Sequence, residues 1–234
     1  MDDLALLRLH VEAVWSLQLP LLTYGDVELS PDAALPAWAL YLGELSGGAV
    51  HIWRPGVTDD ARRGLLSQAE AALRLPSDAP APPGVSREVA LARRTAPGQA
   101  SESREIEAAH LARRLSPDDT ALLEAFEPGE ASYYLAPERA PVFGAVVDGR
   151  SLSVAHSSRR TAAACELGVE TRAEARKRGY GLAVTLRWAE AVAAEGLLPL
   201  YSARADNVAS LALAAAAGYR PFVRAAYLSL APAP

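Results

Sequence analysis

Hydrophobic and polar positions along the chain change period several times, and each change predicts an element. Leu4, Leu7, Val11, Val14 and Trp15 recur at helical spacing. The run 18–24 is apolar and stops at Gly25, and 49–53 reads as a short strand after Gly47-Gly48. Thr58 caps a helix whose inner face runs through Ala61, Leu65, Gln68, Ala69 and Ala72, with Asp59 and Asp60 in the first turn, where the dipole favours acid. The prolines and glycine of 75–84 can neither continue a helix nor join the interior of a sheet. A strand over 85–95 and a loop over 96–102 follow. Residues 1–75 therefore read as an N-terminal α/β region and 76–103 as a Pro/Ala-rich linker with a strand in it. The main domain is expected over 104–234.

In that domain 107–115 reads as a first strand. Ser116, Pro117 and Asp119 then suit the N-cap, first and third positions of a helix to Phe126. Glu127-Pro-Gly-Glu130 stops it, and a long loop through Tyr133 and Tyr134 reaches Pro141. Two apolar stretches, 142–147 and 151–157, flank Asp148-Gly149, a type I′ hairpin signal. Next, Leu167, Val169 and Thr171 alternate on one face, whereas Leu182, Leu186, Ala189, Val192 and Ala193 have helical spacing. Strands are expected again over 198–203 and 222–230, with an alanine-rich helix from Asn207 to Ala217 between them.

Composition narrows the class without choosing a function. With 234 residues, 50% hydrophobic and 22% charged, the chain can bury a core. No apolar run approaches ~18 residues and the first residues are acidic, so no membrane association and a cytoplasmic location are expected. One cysteine, Cys165, excludes an internal disulfide or a multi-cysteine zinc site, and no metal is expected. A net charge of −5 argues against nucleic acid as a partner and is compatible with a cationic substrate. Trp15, Trp38, Trp53, Tyr24 and Tyr41 could line a pocket, but aromatic residues spread in this way are usually core. His10 and His51 read as surface or satisfied core histidines.

Where the period switches from strand to helix stand Arg176, Lys177, Arg178, Gly179, Tyr180 and Gly181, the pattern Arg-x-x-Gly-x-Gly. The first N–H groups of a helix have no internal partner and attract anions. Glycines there let a diphosphate lie on the peptide amides, while the three cations add charge.

The elements that follow in order, Asn207 with Ser210 three places on and Gly218-Tyr219, make the stretch from about 142 to 222 resemble the GCN5-related N-acetyltransferases, the GNAT superfamily, in its bacterial branch with an extra N-terminal α/β region. The resemblance implies an α+β fold: a mixed, mostly antiparallel sheet with splayed parallel strands four and five, flanked by helices, plus the smaller N-terminal α/β region. It implies acetyl-CoA as donor, with its diphosphate on the amides of Arg178 to Leu182. Val169 and Thr171 would hold the pantetheine arm and thioester by their backbone groups, and Asn207 would bond the arm, a role compatible with capping its helix.

The resemblance also implies direct transfer of an acetyl group to a small primary amine. Its region between the first two strands makes Tyr133 and Tyr134 candidate substrate contacts. Glu166 and Glu170, on the face of the fourth strand opposite Leu167 and Val169, are candidate general bases, with His156 as the other base or substrate contact. Ala214 stands where many family members carry a tyrosine that returns a proton to the thiolate, which leaves Tyr201, Ser202, water or unassisted departure. Cys165 reads as core and not as an acyl carrier. The alternatives are a non-catalytic acyl-CoA-binding or sensing protein and a protein or peptide N-acetyltransferase. A degenerate N-terminal copy of the fold would lack the anion-binding turn. A monomer or a homodimer is expected.

Overall fold

The computed structural model describes residues 1–32, 34–93 and 110–229. The expected loop at 96–102, the ends of the expected strands at 94–95, 107–109 and Leu230, and the boundary near 103 lie outside the described residues. The chain groups into two compact units, each discontinuous in sequence. Unit 1 takes in Met1–Ala92, Ser202–Ala212 and the chain from Arg220 onward, and unit 2 takes in Arg93–Tyr201 and Leu213–Tyr219. This differs from a division at 75 and 103, because a strand in the proline-rich stretch and another at the C-terminal end both belong to unit 1.

Unit 1 opens with α1 (Asp3–Trp15), capped by the Asp2 carboxylate on the Ala5 N–H. Strands β1 (Gly25–Glu28), β2 (Trp38–Leu45) and β3 (Gly48–Trp53) follow, then α2 (Asp59–Arg74) and β4 (Val85–Ala92). The sequence pattern does not reveal β1 or β2: β1 is four residues long, and β2 is buried at its first six positions, so it lacks alternation. Thr58 caps α2 as its spacing predicts. The last strand, β10 (Arg220–Ser229), lies antiparallel between β2 and β4, and β3 joins β2 to β1. Ala69, Ala72 and Leu73 of α2 pack with Leu40, Leu42, Trp53, Ala226 and Leu228.

The aromatic residues of this unit are mostly core. Trp38, Trp53 and Tyr41 are fully buried, Tyr41 stacks on Tyr227, and Trp15 meets Tyr227 edge-on at 5.1 Å. His10 is a core histidine: its Nε2 lies 3.0 Å from Glu88 Oε1, to which Tyr41 also donates at 2.8 Å. His51 Nδ1 is paired with Asp26 at 2.8 Å.

Unit 2 is built on the antiparallel series β5 (Arg113–Arg114), β6 (Phe143–Val147), β7 (Arg150–Arg160) and β8 (Ala164–Thr171), with β9 (Leu198–Arg204) parallel to β8. The strand expected over 107–115 is reduced to the two residues of β5, and 110–111 are helical. Asp148 and Gly149 both take positive φ, 50° and 71°, as a type I′ hairpin requires. Ser116 and Asp119 make the expected capping box, on a 3-10 turn that leads into α3 (Thr120–Phe126). The expected long loop contains a short helix, α4 (Ala131–Leu135), because the left-handed Gly129 reverses the chain and lets Tyr134 reach the core beside Leu123 and Val154. Helix α5 (Tyr180–Ala194) packs against β6, β7 and β8. Helix α6 (Val208–Ala216) carries the fully buried Ala214. Units 1 and 2 each combine helices with a mixed, mostly antiparallel sheet, the α+β class expected. Among the described residues no helix is long and apolar enough to cross a membrane.

Candidate functional site

Strand β8 organises unit 2. Its pairing with β9 ends at Glu166 opposite Leu200, although β8 runs on to Thr171. Beyond Glu166 its described strand pairing lies on the β7 side alone. Arg172 N–H bonds Leu152 O on β7, and the Glu170 carbonyl accepts from the Ser153 hydroxyl at 2.7 Å. Peptide groups alternate sides along a strand, so those of Leu167, Val169 and Thr171 face the open edge. An extended chain could add there as another strand would.

The open edge leads into the basic turn. Lys177 and Gly179 take positive φ, 60° and 85°, and α5 starts at Tyr180 with no side chain among the described residues capping it. The first bond of the helix is Ala183 N–H to Gly179 O, so the N–H groups of Gly179 to Leu182 precede the internal ladder. Arg176, Lys177 and Arg178 are exposed around them, with the Arg178 guanidinium 5.4 Å from the Tyr180 ring centre. The Tyr180 side chain is buried, so towards a bound anion it offers only its amide. A Cβ on Gly181 would lie 3.0 Å from Thr171 Oγ1, so glycine lets the helix start close to the end of β8. Arg176 Nε reaches back to Thr171 O at 3.4 Å. The Asn207 side chain accepts from Ser210 N–H at 3.1 Å and so caps α6.

Glu166, Gly168 and Glu170 share the face of β8 that is turned towards α3 and α4. His156, opposite Gly168 in the register, lies on the same face. A Cβ at Gly168 would fall inside the His156 ring, 2.6 Å from Nε2, so the imidazole rests directly on the β8 backbone. Tyr133 and Tyr134 meet the ring edge-on at 5.4 and 5.2 Å, and Tyr133 Oη lies 3.3 Å from His156 Nε2. Burial, helped by Arg139 and Arg159, pushes the imidazole down to about 4, so it is neutral at physiological pH.

The two tyrosines play different parts. Tyr134 is buried, and its hydroxyl donates to Glu127 at 2.6 Å, with burial holding its proton well above the usual phenol range. Tyr133 is half-buried, with the Arg139 guanidinium 4.3 Å over its ring. The two glutamates also differ. Glu166 is 4% exposed; the Tyr219 phenol is raised first by its own burial, and the Glu166 charge adds to that. Glu170 is exposed, and its carboxyl is raised first by desolvation and then by the neighbouring charges of Glu127 and Glu130. Tyr201 is buried edge-on against Tyr219 at 5.4 Å.

The structure thus gathers Tyr133, Tyr134, His156 and Glu170, and places Glu166 and Tyr201 in a separate buried group around Tyr219. Glu127, Arg139 and Gly168 belong to the first cluster and are not singled out by sequence. A lone glycine inside a strand pattern is the one signal that pointed to a close approach. Cys165 is buried and its thiol raised by burial, which fits core. A cavity of ≈ 80 Å³ in unit 1 is lined by Arg87, Arg204, Asp206 and Tyr227. Its arginines are engaged by backbone carbonyls and by Asp206, and it is too small for a cofactor. Among the described residues no group of three or more His, Cys, Asp or Glu could hold a metal ion.

No family model and no curated relative matches the chain. Solved structures do. A GNAT-family protein from Novosphingobium aromaticivorans is 24% identical over 64% of this chain and 68% of its own, with a TM-score of 0.47. A GNAT-family acetyltransferase from Colwellia psychrerythraea is 16% identical over 63% of this chain, which spans little more than half (56%) of that protein, at a TM-score of 0.47. A GCN5-related N-acetyltransferase-like protein from Streptococcus suis is 17% identical over 79% of this chain and 73% of its own, at a TM-score of 0.48.

Proposed function

We propose that the chain is a GNAT acyltransferase that moves an acetyl group from acetyl-CoA directly to a small primary amine. The observation that carries the reading is the continuity in unit 2 between the open edge of β8 and the uncapped, basic start of α5. Val169 and Thr171 would hold the extended arm of the donor through peptide groups. The amides of Gly179 to Leu182, with Arg176, Lys177 and Arg178 around them, would hold its diphosphate. The donor supplies a thioester carbon open to attack.

The acceptor must arrive as a neutral amine, yet an ammonium of pKa ~10 is almost wholly protonated at pH 7. Glu170 is favoured over Glu166 as the base, since it is exposed and its raised pKa makes it a stronger proton acceptor while ionised. Glu127 and Glu130 beside it favour a cationic acceptor.

The test is a calorimetric titration with acetyl-CoA on the protein and on Arg176→Glu/Arg178→Glu, two exposed charge reversals. Micromolar binding that weakens at least ~10-fold in the variant is expected, a loss of ~1.4 kcal/mol or more. Absence of binding by the intact protein would overturn the reading.

A further inference from the structure

The cluster on β8 suggests how the departing thiolate is protonated. Ala214, fully buried, offers no acidic hydrogen at the position where a phenol would be expected, and Tyr201 is packed away against Tyr219. A half-buried phenol over the face of β8 that carries Gly168 belongs to Tyr133, through its contact with His156. Its partner His156 lies on Gly168, between Leu167 and Val169, whose peptide groups face that edge. A group bonded to this imidazole therefore sits over the middle of the stretch that would hold the thioester.

From this we propose that Tyr133 is the general acid of the transfer and that His156 is its positioning partner, an inference that rests on the acetyltransferase reading. The imidazole Nδ1 is buried with no hydrogen-bond partner among the described residues, while Nε2 faces Tyr133 Oη at 3.3 Å. A buried orphan N–H is rarer than a buried orphan acceptor, so the favoured tautomer carries its proton on Nε2 and donates to the phenol oxygen. That arrangement leaves the Tyr133 proton free to point away from the histidine.

As the amine nitrogen bonds to the acyl carbon, the carbon–sulfur bond breaks and its electron pair goes to sulfur. The Tyr133 proton passes to sulfur and gives the free thiol. The negative charge left on the phenol oxygen faces the His156 Nε2–H, and the Arg139 guanidinium lies 4.3 Å from the centre of the same ring. The proton removed from the amine goes through Glu170 to solvent, and solvent returns one to Tyr133, so the protons balance. A histidine that stayed charged would repel Arg139 and Arg159. Burial keeps it neutral, and in the Nε2–H tautomer it still donates to the phenol oxygen.

The test measures free CoA release with hydroxylamine as acceptor, a small nucleophile that is neutral at pH 7.5 and makes no demand on an amine pocket. Two donors are compared, acetyl-CoA and its selenoester analogue, whose selenol departs as the anion without needing a proton. Acetyl-CoA affinity and melting temperature are recorded for each variant. Tyr133→Phe should keep both while turnover on the thioester falls ~100-fold, and the loss should shrink to under ~10-fold on the selenoester. His156→Gln, which retains an N–H donor, should lose less than His156→Ala on the thioester and little on the selenoester. If Tyr133→Phe is harmless, or slows both donors equally, Tyr133 is not the acid and the acetyltransferase reading stands. If the intact protein releases no CoA above buffer from either donor, the relay and the enzymatic reading both fall, and calorimetry then separates a silent acyl-CoA binder from a protein with no donor site.

Discussion

Replacing Gly168 with alanine tests the part of the structure on which the candidate site depends. The added methyl would lie within contact of His156 Cε1 and 2.6 Å from Nε2, well inside van der Waals distance. A surface side chain could swing away at little cost. His156 cannot, because it is 4% exposed and held between Tyr133 and Tyr134, the latter itself anchored to Glu127. Overpacking of this kind costs about 1–3 kcal/mol. For a chain of this size each kcal/mol moves the melting temperature by ~2–4 °C, so a fall of roughly 2–12 °C is expected.

A double-mutant cycle makes the argument specific. Gly168 has no positive φ, so once His156→Ala removes the ring, Gly168→Ala should become neutral or stabilising by up to about 1 kcal/mol, through the reduced entropy of the unfolded chain. The coupling between the two changes should exceed ~1 kcal/mol. The assay is thermal or urea unfolding of the four proteins under one condition. A Gly168→Ala protein that melts with the wild type, or a cost that persists unchanged without the imidazole, would refute the placement of His156 on β8.

Two further outcomes follow from the same structure. The folded protein holds His156 at about 4 while an unfolded histidine titrates near 6.5, so its contribution is complete above pH 6.5 and is lost as the pH falls through 4. The full loss is about 3 kcal/mol; urea unfolding from pH 7 to 4 should show a shallower decline for His156→Gln, and parallel declines would refute the burial argument. A fragment of residues 1–92 should show no cooperative unfolding, because it lacks β10, which pairs with β2 on one side and β4 on the other and buries Val223, Ala225, Ala226 and Leu228. A sharp thermal transition from that fragment would show that β10 is dispensable to unit 1.

Local chemistry made part of this protein legible from residues alone. Asp148-Gly149 specified a hairpin because both positions must take positive φ. Thr58, Ser116 and Asp119 marked helix starts because each satisfies amides that the helix cannot. The basic glycine turn announced its uncapped helix because its period changes there from two to 3.6. What sequence periodicity carries is the face a residue shows, not the partner it meets. The strand pattern of 222–230 therefore announced β10 but not its place between β2 and β4, and the buried β2 showed no alternation to read.

The candidate site divided along the same line. Tyr133 and Tyr134 are adjacent in sequence and equivalent as candidates, yet a five-residue helix turns one into the core and leaves the other at its margin. Glu166 and Glu170 share one face of β8, but only the tertiary fold buries the first near Tyr219 and sets the second beside Glu127. The pairing of His156 with Gly168 is a matter of register across β7 and β8, and the neutrality of the imidazole follows from what surrounds it in space. Sequence determined which groups are present and on which face of their strand or helix they lie. Burial, register and neighbouring charge, which arise from segments far apart in the chain, decided which of those groups can do chemistry.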